Sequence, residues 1–278
     1  MRIKFLGSGS AFALPKENFH SNILITKDEI SDDGNETPRN LLIDAGSHIA
    51  EALDHYGLNP LNINAIFLTH NHGDHNGGLE YLGYKTFFTE PIGKNKPVLF
   101  SDVRVMEVLW ENVLKGNMGS LQGAGKVNLS TYFNVKTVTP KQSFQFVDTV
   151  FTPVRMAHVI DKYDEVPAFG LKWEEDGVKF FFSGDCQFDF WRLMPFWEYA
   201  DIVFQECEFL EYDNSVHCQF RHLKEIPEKY KSKMWLYHYS LNGITLDELE
   251  SKVKDAGFAG LVKRGQEFDT HILKEELK

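Results

Sequence analysis

The fold of this chain is decided by the stretch Thr69-His70-Asn71-His72-Gly73-Asp74-His75-Asn76-Gly77-Gly78. Three histidines and one aspartate stand within six positions, although the chain has only 11 histidines in 278 residues. Imidazole and carboxylate groups are ligands that suit zinc, iron or manganese. A cluster of polar side chains would also be costly to bury without such partners. The stretch therefore predicts a metal site.

The residues around this stretch predict how the ligands are held. Ala65–Leu68 is a short apolar run that is typical of a buried strand, so the ligands follow directly after a strand. A rigid element of this kind positions side chains accurately. We expect Gly73 to let the backbone turn between ligands, and Gly77 and Gly78 to let the next segment approach closely.

The composition is that of a globular chain with an acidic surface. Hydrophobic residues make up 42% and charged residues 25%, and the formal net charge is −11. An acidic surface opposes broad binding to polyanions, because contacts of basic side chains with phosphates supply most of the affinity for a nucleic acid. Three cysteines suggest no disulfide framework and are expected to be small core residues. Without a signal peptide or a membrane-spanning run, we expect a cytoplasmic protein.

Strands and helices alternate along the chain, which predicts an α/β layered fold. The acidic segment Lys27–Arg39 is expected to be a solvated loop. The glycine-rich segment Gly116–Asn128 is an ordinary surface loop, a mobile lid or a dimer contact. Ser47 and Ser101 are expected to cap helices.

The predicted strands are Arg2–Leu6, Asn22–Thr26, Asn40–Ile43, Ala65–Leu68, Pro97–Phe100, Asn134–Val138, Phe144–Val154, Ala168–Trp173, Val178–Phe182, Asp201–Phe204 and Met234–Tyr239, with closing strands at Phe258–Val262 and near Phe268. The predicted helices are Ser47 to about Tyr56, Leu79–Phe88, Val103–Leu114, Gln187–Tyr199, Leu223–Tyr230 and Thr245–Ala256.

The histidine stretch matches the His-x-His-x-Asp-His signature of the metallo-β-lactamase superfamily. The opening segment Phe5–Ala11 also resembles that of tRNase Z and its phosphodiesterase relatives. The C-terminal part from Val216 to Tyr239 more loosely resembles cyclic nucleotide phosphodiesterases of this fold. The resemblance implies an αββα sandwich, in which two packed sheets carry helices on their outer faces. It also implies that residues 1–278 form a single hydrolase domain.

The resemblance further implies a site for two divalent metal ions. We expect zinc, although the same ligands also accept manganese or iron. Asp185 would bridge the two ions. Asp44, at the end of a predicted strand, is a candidate ligand by itself, but the matching aspartate of the superfamily orients the metal loop from behind. The implied ligands of the first ion are His70, His72 and His158, and those of the second are Asp74, His75 and His238.

Three residues are candidates for a direct part in the chemistry. Asp74 is expected to orient the attacking metal-bound hydroxide or to take its proton, in addition to binding metal. His217 is the candidate general acid for the leaving group. It stands where tRNase Z relatives carry a histidine paired with a glutamate, so Glu206 or Glu208 is expected to keep it protonated.

The leading functional prediction is a phosphodiesterase that acts on a small phosphodiester such as a cyclic nucleotide. Aspartate and histidine, rather than cysteine, at Asp185 and His238 argue against a β-lactamase. A tRNase Z-type ribonuclease is a second candidate, but the span from His158 to Asp185 leaves no room for its long tRNA-binding arm. The sequence is also compatible with a lactone or thioester hydrolase and with a non-enzymatic metal-binding module. A homodimer is an expectation from the resemblance alone.

Overall fold

The chain folds into two seven-stranded sheets that pack face to face, as described by a computed structural model for residues 1–123, 125–212 and 215–277. The strands are β1 (Arg2–Phe5), β2 (Ile23–Ile30), β3 (Glu36–Ile43), β4 (Ile63–Phe67), β5 (Val98–Ser101), β6 (Asn134–Thr137), β7 (Phe144–Phe146), β8 (Thr149–Met156), β9 (Ala168–Glu175), β10 (Val178–Phe182), β11 (Ile202–Glu206), β12 (Met234–Tyr237), β13 (Gly260–Leu261) and β14 (Glu267–Asp269). The helices are α1 (Ile49–His55), α2 (Gly73–Asn76), α3 (Leu79–Phe87), α4 (Val103–Val108), α5 (Lys115–Met118), α6 (Leu129–Tyr132), α7 (Phe190–Tyr199), α8 (Phe220–Leu223), α9 (Glu228–Lys231), α10 (Leu246–Asp255) and α11 (Thr270–Glu276). A 3₁₀ turn at Pro60–Asn62 and a π-helical turn at Leu109–Leu114 complete the elements.

Both sheets are mixed, and each has a parallel and an antiparallel half. The N-terminal sheet has the order β14-β1-β2-β3-β4-β5-β6, and its strands from β3 to β6 run parallel. The C-terminal sheet has the order β13-β12-β11-β10-β9-β8-β7, and its strands from β10 to β13 run parallel. Because parallel strands end at the same edge, each sheet can present several loops on one side of the molecule.

The phenylalanine run in β10 shows how one strand serves two layers. Successive side chains of a strand point to opposite faces, so Phe180 and Phe182 pack between the sheets while Phe181 packs under the outer helices. Phe181 stacks on Phe196 of α7 with ring centroids 5.1 Å apart. Between the sheets, Phe5 of β1 packs against Phe204 of β11, with ring centroids 5.0 Å apart. The predicted sandwich with outer helices is confirmed.

The prediction of a solvated loop over Lys27–Arg39 is wrong. Strands β2 and β3 continue through this segment as an exposed hairpin, with Lys27 opposite Arg39 and a turn over residues 31–35. An ion pair of 2.7 Å between Glu29 and Arg39 crosses the hairpin. Polar residues on an exposed hairpin have the same composition as a loop, so the pattern does not distinguish the two. Pro38 is tolerated because β4 does not pair with this part of β3.

The two predicted serine caps are also wrong. Asp102, not Ser101, caps α4, accepting a hydrogen bond from the Arg104 N–H at 3.0 Å. Ser101 is the last residue of β5, and its hydroxyl donates to a backbone carbonyl in the core. Ser47 likewise caps no helix and instead donates to the Gly73 carbonyl at 2.9 Å. Short polar side chains serve either role, so only the tertiary contacts decide between them.

The glycine-rich segment Gly116–Asn128 contains part of α5 and leads into α6, which Asn128 and Thr131 cap reciprocally. Ala124 within it lies outside the described residues. No helix in the described parts of the chain has the length and apolar character needed to cross a membrane.

Candidate metal centre

The predicted site residues converge at one edge of the sandwich, where strands from both sheets end. Strand β4 leads into the histidine stretch, and β3 ends beside it at Asp44. From the other sheet, β8, β10, β11 and β12 end at the remaining candidates. These are His158, Asp185, Glu206 and His238. The two sheets thus bring residues from distant parts of the chain to one place.

The first group of potential ligands combines His70, His72, His158 and Asp185. His72 Nδ1 lies 3.0 Å from His70 Nε2 and 3.1 Å from His158 Nε2. Asp185 Oδ2 lies 3.8 Å from the Nε2 atoms of both His70 and His158. These four atoms therefore surround a space of the size that one cation with ligand distances of about 2.0–2.2 Å would need.

The second group combines Asp74, His75, His238 and the same Asp185. Asp74 Oδ2 lies 3.3 Å from His75 Nε2 and 3.1 Å from His238 Nε2. Asp185 Oδ2 lies 3.2 Å from His75 Nε2 and 3.5 Å from His238 Nε2. The structure thus brings all seven predicted ligands together, with Asp185 between the two groups.

Unsatisfied buried atoms in these groups fit a cation. Both carboxylate oxygens of Asp185 and Nε2 of His75 are inaccessible to solvent and lack a hydrogen-bond partner among the described residues. Leaving such a group buried and unpaired costs about 1–3 kcal/mol, and more when it is charged. Metal coordination would satisfy all three atoms at once, so the residues present fit divalent metal binding.

The electrostatics of the cluster lead to the same conclusion. Burial opposes ionisation of Asp185, but the charges of His238 and His75 outweigh it and hold its pKa well below the ordinary range. Burial also lowers the pKa of His75, yet the three aspartates around it raise that pKa well above its ordinary value. Those aspartates are Asp185, Asp74 and Asp44. Three carboxylates around one imidazole leave excess negative charge, which a bound cation would neutralise in place of the proton.

Two histidines of the first group, His70 and His158, are kept in the neutral form that binds metals. Burial lowers the pKa of His70 well below its ordinary value, and it lowers the pKa of His158 to about 4. His158 Nδ1 donates to the Val216 carbonyl at 2.8 Å, which directs the lone pair of Nε2 into the first group. A hydrogen bond of this kind fixes the tautomer and the orientation of a ligand.

Asp44 supports the histidine stretch from behind, as predicted. Its carboxylate accepts hydrogen bonds from the backbone N–H of Thr69 at 2.8 Å and from the Thr69 hydroxyl at 2.9 Å. Its Oδ2 also lies 2.7 Å from His75 Nδ1, so that His75 Nε2 faces the second group. Thr69 is not identified from the sequence, because an ordinary threonine beside a motif carries no signal of its own. Its hydroxyl in turn contacts His70 Nδ1 at 3.0 Å.

The glycines of the stretch serve different purposes. A Cβ on Gly78 would lie 2.1 Å from a methyl group of Ile49, so close approach requires glycine there, as predicted. Gly77 is equally crowded by the Ser47 hydroxyl. Gly73 has open space around its Cα and an ordinary φ, so the predicted need for glycine at that turn is wrong. Its role is to begin α2, and its carbonyl accepts from Ser47.

His217 lies beside the metal groups and contacts Glu206. His217 Nδ1 lies 3.3 Å from Glu206 Oε1 and 3.9 Å from Asp185 Oδ2. Burial would lower the pKa of His217, but the charge of Glu206 and its hydrogen bond raise that pKa to about 10. The carboxylate of Glu208 instead accepts from the Leu210 N–H. Of the two glutamates left open by the sequence, Glu206 is therefore the partner of His217.

A second pair of histidines, missed in the sequence, lies behind Asp74. His20 stacks on His48 with ring centroids 3.5 Å apart, and burial lowers the pKa of His20 to about 4. The backbone at Gly46 passes so close that a Cβ there would meet the Asp74 carbonyl and the His20 side chain. Neither histidine belongs to a motif, so no local pattern could have identified them.

A protein-family model described as Anti-Pycsar protein Apyc1 matches residues 1–268. The chain belongs to the Apyc1 family of anti-Pycsar proteins. The Apyc1 protein of Paenibacillus harenae is 30% identical over 256 residues, which cover 91% of this chain and 94% of that protein. The Apyc1 protein of Bacillus phage BSP38 is 29% identical over 248 residues, which cover 87% of this chain and 90% of that protein.

Solved structures of lower identity share the fold. The metallo-β-lactamase fold protein YhfI from Bacillus subtilis matches with a TM-score of 0.70 at 17% identity, covering 96% of this chain and 98% of that one. Yeast PDE1 matches with a TM-score of 0.63 at 13% identity, covering 94% of this chain and 96% of that one. These likenesses confirm the metallo-β-lactamase fold predicted from the histidine motif. Together with its family and its clustered ligands, the fold identifies the chain as a metal-dependent hydrolase.

Proposed function

We propose that the chain is a phosphodiesterase that hydrolyses a cyclic nucleotide at a site holding two divalent cations, with zinc as the first candidate. The observation that carries this proposal is the pair of His217 and Glu206 beside the seven potential ligands. Hydrolysis of a phosphodiester requires a proton for the leaving alkoxide. Hydrolysis of an activated carboxylic ester or a thioester depends less on such a proton. A protonated imidazole held at the edge of the metal groups meets that need.

The potential ligands divide into two sets with a shared carboxylate. His70, His72 and His158 would hold one cation, and Asp185 would lie between it and the second. The second cation would be held by Asp74, His75 and His238. When bound, such a pair supplies Lewis-acid stabilisation of the phosphoryl oxygens and lowers the pKa of water.

Asp74 has a second proposed task. Burial opposes its ionisation, but His75 and a hydrogen bond from His238 hold the pKa of Asp74 below its ordinary range. The side chain is therefore a carboxylate at neutral pH, able to orient a nearby water through an accepted hydrogen bond. The Asp74 carboxylate only accepts hydrogen bonds, and it stays ionised throughout the pH range in which the His217 imidazole is protonated.

His217 is the proposed proton donor, and Glu206 its positioning residue. Glu206 is fully buried, and its Oε1 also accepts the backbone N–H groups of Cys186 and Cys218, each at 3.0 Å. A carboxylate fixed by two backbone donors cannot turn away from the imidazole. By accepting from Nδ1–H it stabilises the protonated imidazole, and the proton that the leaving oxygen would take is the one on Nε2.

A small substrate is favoured over a long nucleic acid. The span between His158 and Asp185 consists of a short loop and the β9–β10 hairpin, so the described residues there form no long protruding arm. A net charge of −11 also opposes extended contact with a polyanion. The name of the family, anti-Pycsar, implies degradation of cyclic nucleotides, which supports the same substrate class.

The test is a substrate comparison with zinc- or manganese-loaded protein. Bis-p-nitrophenyl phosphate and the 3′,5′-cyclic forms of AMP, GMP, CMP and UMP represent phosphodiesters, while an acyl homoserine lactone and a glutathione thioester represent carbonyl substrates. We expect turnover of at least one cyclic nucleotide and its loss in Asp185→Ala. Turnover confined to the lactone or the thioester would overturn the proposal in favour of carbonyl chemistry.

A further inference from the structure

Two cysteines touch each other beneath the proposed site. Cys186 Sγ lies 3.7 Å from Cys218 Sγ, and both side chains are fully buried. The third cysteine, Cys207, directs its Sγ toward the backbone carbonyl of Glu208 instead. Cys186 and Cys218 are thus in direct sulfur–sulfur contact.

A buried amide is aimed at both sulfur atoms. Gln205 Oε1 accepts a hydrogen bond from Trp197 Nε1 at 3.1 Å, which fixes the orientation of the amide. Its Nε2 donates to the Glu206 backbone carbonyl at 3.3 Å and also faces Cys186 Sγ at 3.5 Å and Cys218 Sγ at 3.4 Å. The Glu206 carbonyl takes one N–H of this amide, which leaves the other for the two sulfurs, since a buried amide is costly unless its hydrogen bonds are made. The amide thus lies against both sulfurs at once.

Each of these cysteines is covalently adjacent to a proposed functional residue. Cys186 follows Asp185, and Cys218 follows His217. The backbone N–H groups of both cysteines donate to the same oxygen of Glu206. A displacement of the sulfurs would therefore be transmitted to the shared carboxylate, to the proton donor and to its partner.

We propose that Cys186 and Cys218 are an oxidisable dithiol, which a hydroperoxide converts into a disulfide that disables the neighbouring site. The S–S bond has a length of about 2.05 Å, so the sulfurs must approach from 3.7 Å. We expect the backbone on either side to follow this approach, which would move Asp185 and His217 relative to each other. The effect on activity rests on the proposed function, whereas the formation of the disulfide does not.

The reaction is balanced with hydrogen peroxide as the oxidant. One thiol sulfur attacks the O–O bond, which breaks to release water and leaves a sulfenic acid on that cysteine. The second thiol attacks the sulfenic sulfur, so that the S–S bond forms and a second water leaves with the remaining proton. Two thiols and one peroxide thus give one disulfide and two waters. Because both sulfurs are buried, the reaction is slower than that of an exposed thiol.

The experiment counts thiols in zinc-loaded protein with and without prolonged exposure to hydrogen peroxide. After quenching, the protein is unfolded, alkylated with iodoacetamide and weighed intact. We expect the number of alkylated cysteines to fall from three to one, and dithiothreitol before alkylation to restore three. Three alkylated cysteines after peroxide, or further oxidation to sulfinic acid without a disulfide, would overturn the proposal.

Matched variants identify which cysteines react. In Cys207→Ser, two alkylated cysteines should become none after peroxide. In Cys186→Ser and in Cys218→Ala, both remaining thiols should stay available. A disulfide that forms equally in Cys186→Ser would assign the bond to another pair and overturn the inference.

Hydrolysis of bis-p-nitrophenyl phosphate, measured in parallel, separates this inference from the proposed function. Loss of turnover that dithiothreitol reverses, in step with the disulfide, supports the whole proposal. A disulfide that forms while turnover persists overturns its effect on the site. Full turnover without any disulfide overturns the dithiol and leaves the proposed function standing. A disulfide in protein that never had turnover supports the dithiol and counts against the proposed function.

Discussion

The two sheets build their shares of the metal centre in different ways. The N-terminal sheet supplies four potential ligands from one loop, residues 70–75, directly after β4. The C-terminal sheet supplies its ligands singly, each after a different strand. These are His158, Asp185 and His238. The first arrangement depends on local sequence alone, whereas the second requires three strands to be paired in the correct register.

The two shares are also braced differently. A side chain supplements the backbone hydrogen bonds of the histidine loop, since Asp44 contacts Thr69 and His75. Backbone groups hold the residues of the C-terminal sheet. His158 donates to the Val216 carbonyl, and the His238 N–H donates to the Ser8 carbonyl at 2.8 Å. A substitution of Asp44 therefore removes the side-chain brace of the loop, whereas the backbone partners of His158 and His238 cannot be removed by a side-chain substitution.

The largest effect is expected from replacing Asp185, which belongs to both groups of potential ligands. Asp185→Asn keeps the shape of the side chain but removes the charge that both groups use. Because bound cations supply several kcal/mol of transition-state stabilisation, we expect turnover to fall about 10³-fold or more. Turnover of bis-p-nitrophenyl phosphate and metal content by atomic emission are the measurements. Asp189→Asn, at the cap of α7, is the control, and equal effects of the two changes would contradict the role of Asp185.

The second largest effect is expected from replacing His217, which lies between two strands of the C-terminal sheet and is not among the proposed metal ligands. His217→Ala should slow hydrolysis of a cyclic nucleotide about 10²-fold, because its alkoxide leaving group needs a proton. Bis-p-nitrophenyl phosphate, with its good leaving group, should be affected much less, and metal content should be unchanged. Equal losses on both substrates would argue that His217 has only a structural role.

The pH profile gives a separate prediction for the same residue. A histidine whose pKa is raised to about 10 is protonated at neutral pH and loses its proton only as the pH rises through that value. Wild-type turnover of a cyclic nucleotide should therefore fall on the alkaline side. Cations bound at Asp185 offset one of the charges that raise the pKa, so this limb is expected somewhat below pH 10. The limb should be absent from His217→Ala, and its persistence there would assign it to another group.

A smaller effect is expected from replacing Asp44, which supports the histidine loop from behind. Asp44 has φ of 63°, a conformation that asparagine also tolerates, so Asp44→Asn should preserve the fold. Loss of the charge behind His75 should weaken metal binding about 10- to 100-fold, as is typical for partners of metal ligands. Competition with a chelator measures this affinity. Asp176→Asn is a matched control, since Asp176 has a similar φ of 56° at the distant β9–β10 turn.

The contrast between the two sheets also explains what could be predicted from the sequence. The spacing of the histidine loop identifies a metal site without any knowledge of the fold, because its ligands are neighbours in the chain. His158 and His238 are isolated histidines, and only resemblance to a known superfamily assigns them a role. Thr69 and the choice of Glu206 over Glu208 depend on contacts that no local pattern encodes.

The errors in the predicted elements have the same origin. The Lys27–Arg39 hairpin is held by cross-strand pairing and ion pairs in a segment whose composition is that of a loop. Ser101 has the side chain of a helix cap, but the neighbouring Asp102 has that task. By contrast, the β9–β10 hairpin and the helix capped by Thr245 are predicted correctly, since turn and cap signals act within a few residues.

The smallest expected effect distinguishes the glycines of the histidine loop by stability rather than activity. A Cβ on Gly78 would meet the Ile49 methyl at 2.1 Å and the Gly46 carbonyl at 2.7 Å, both in the buried layer under the loop. Gly78→Ala should therefore lower the free energy of unfolding by about 1–3 kcal/mol, the range found for overpacked cores. A Cβ on Gly73 would meet nothing within 4 Å, so Gly73→Ala should be neutral or stabilising by up to about 1 kcal/mol.

Urea unfolding of the two metal-free variants, compared with the wild type, measures this difference. Metal is omitted because bound cations would add their own stabilisation and obscure a change of this size. A loss of stability in Gly73→Ala as large as that in Gly78→Ala would mean that the loop requires glycine for its turn after all. A loss only in Gly78→Ala would show that the N-terminal sheet constrains this loop from below, by close packing on α1, while its ligand-bearing turn remains tolerant of a side chain.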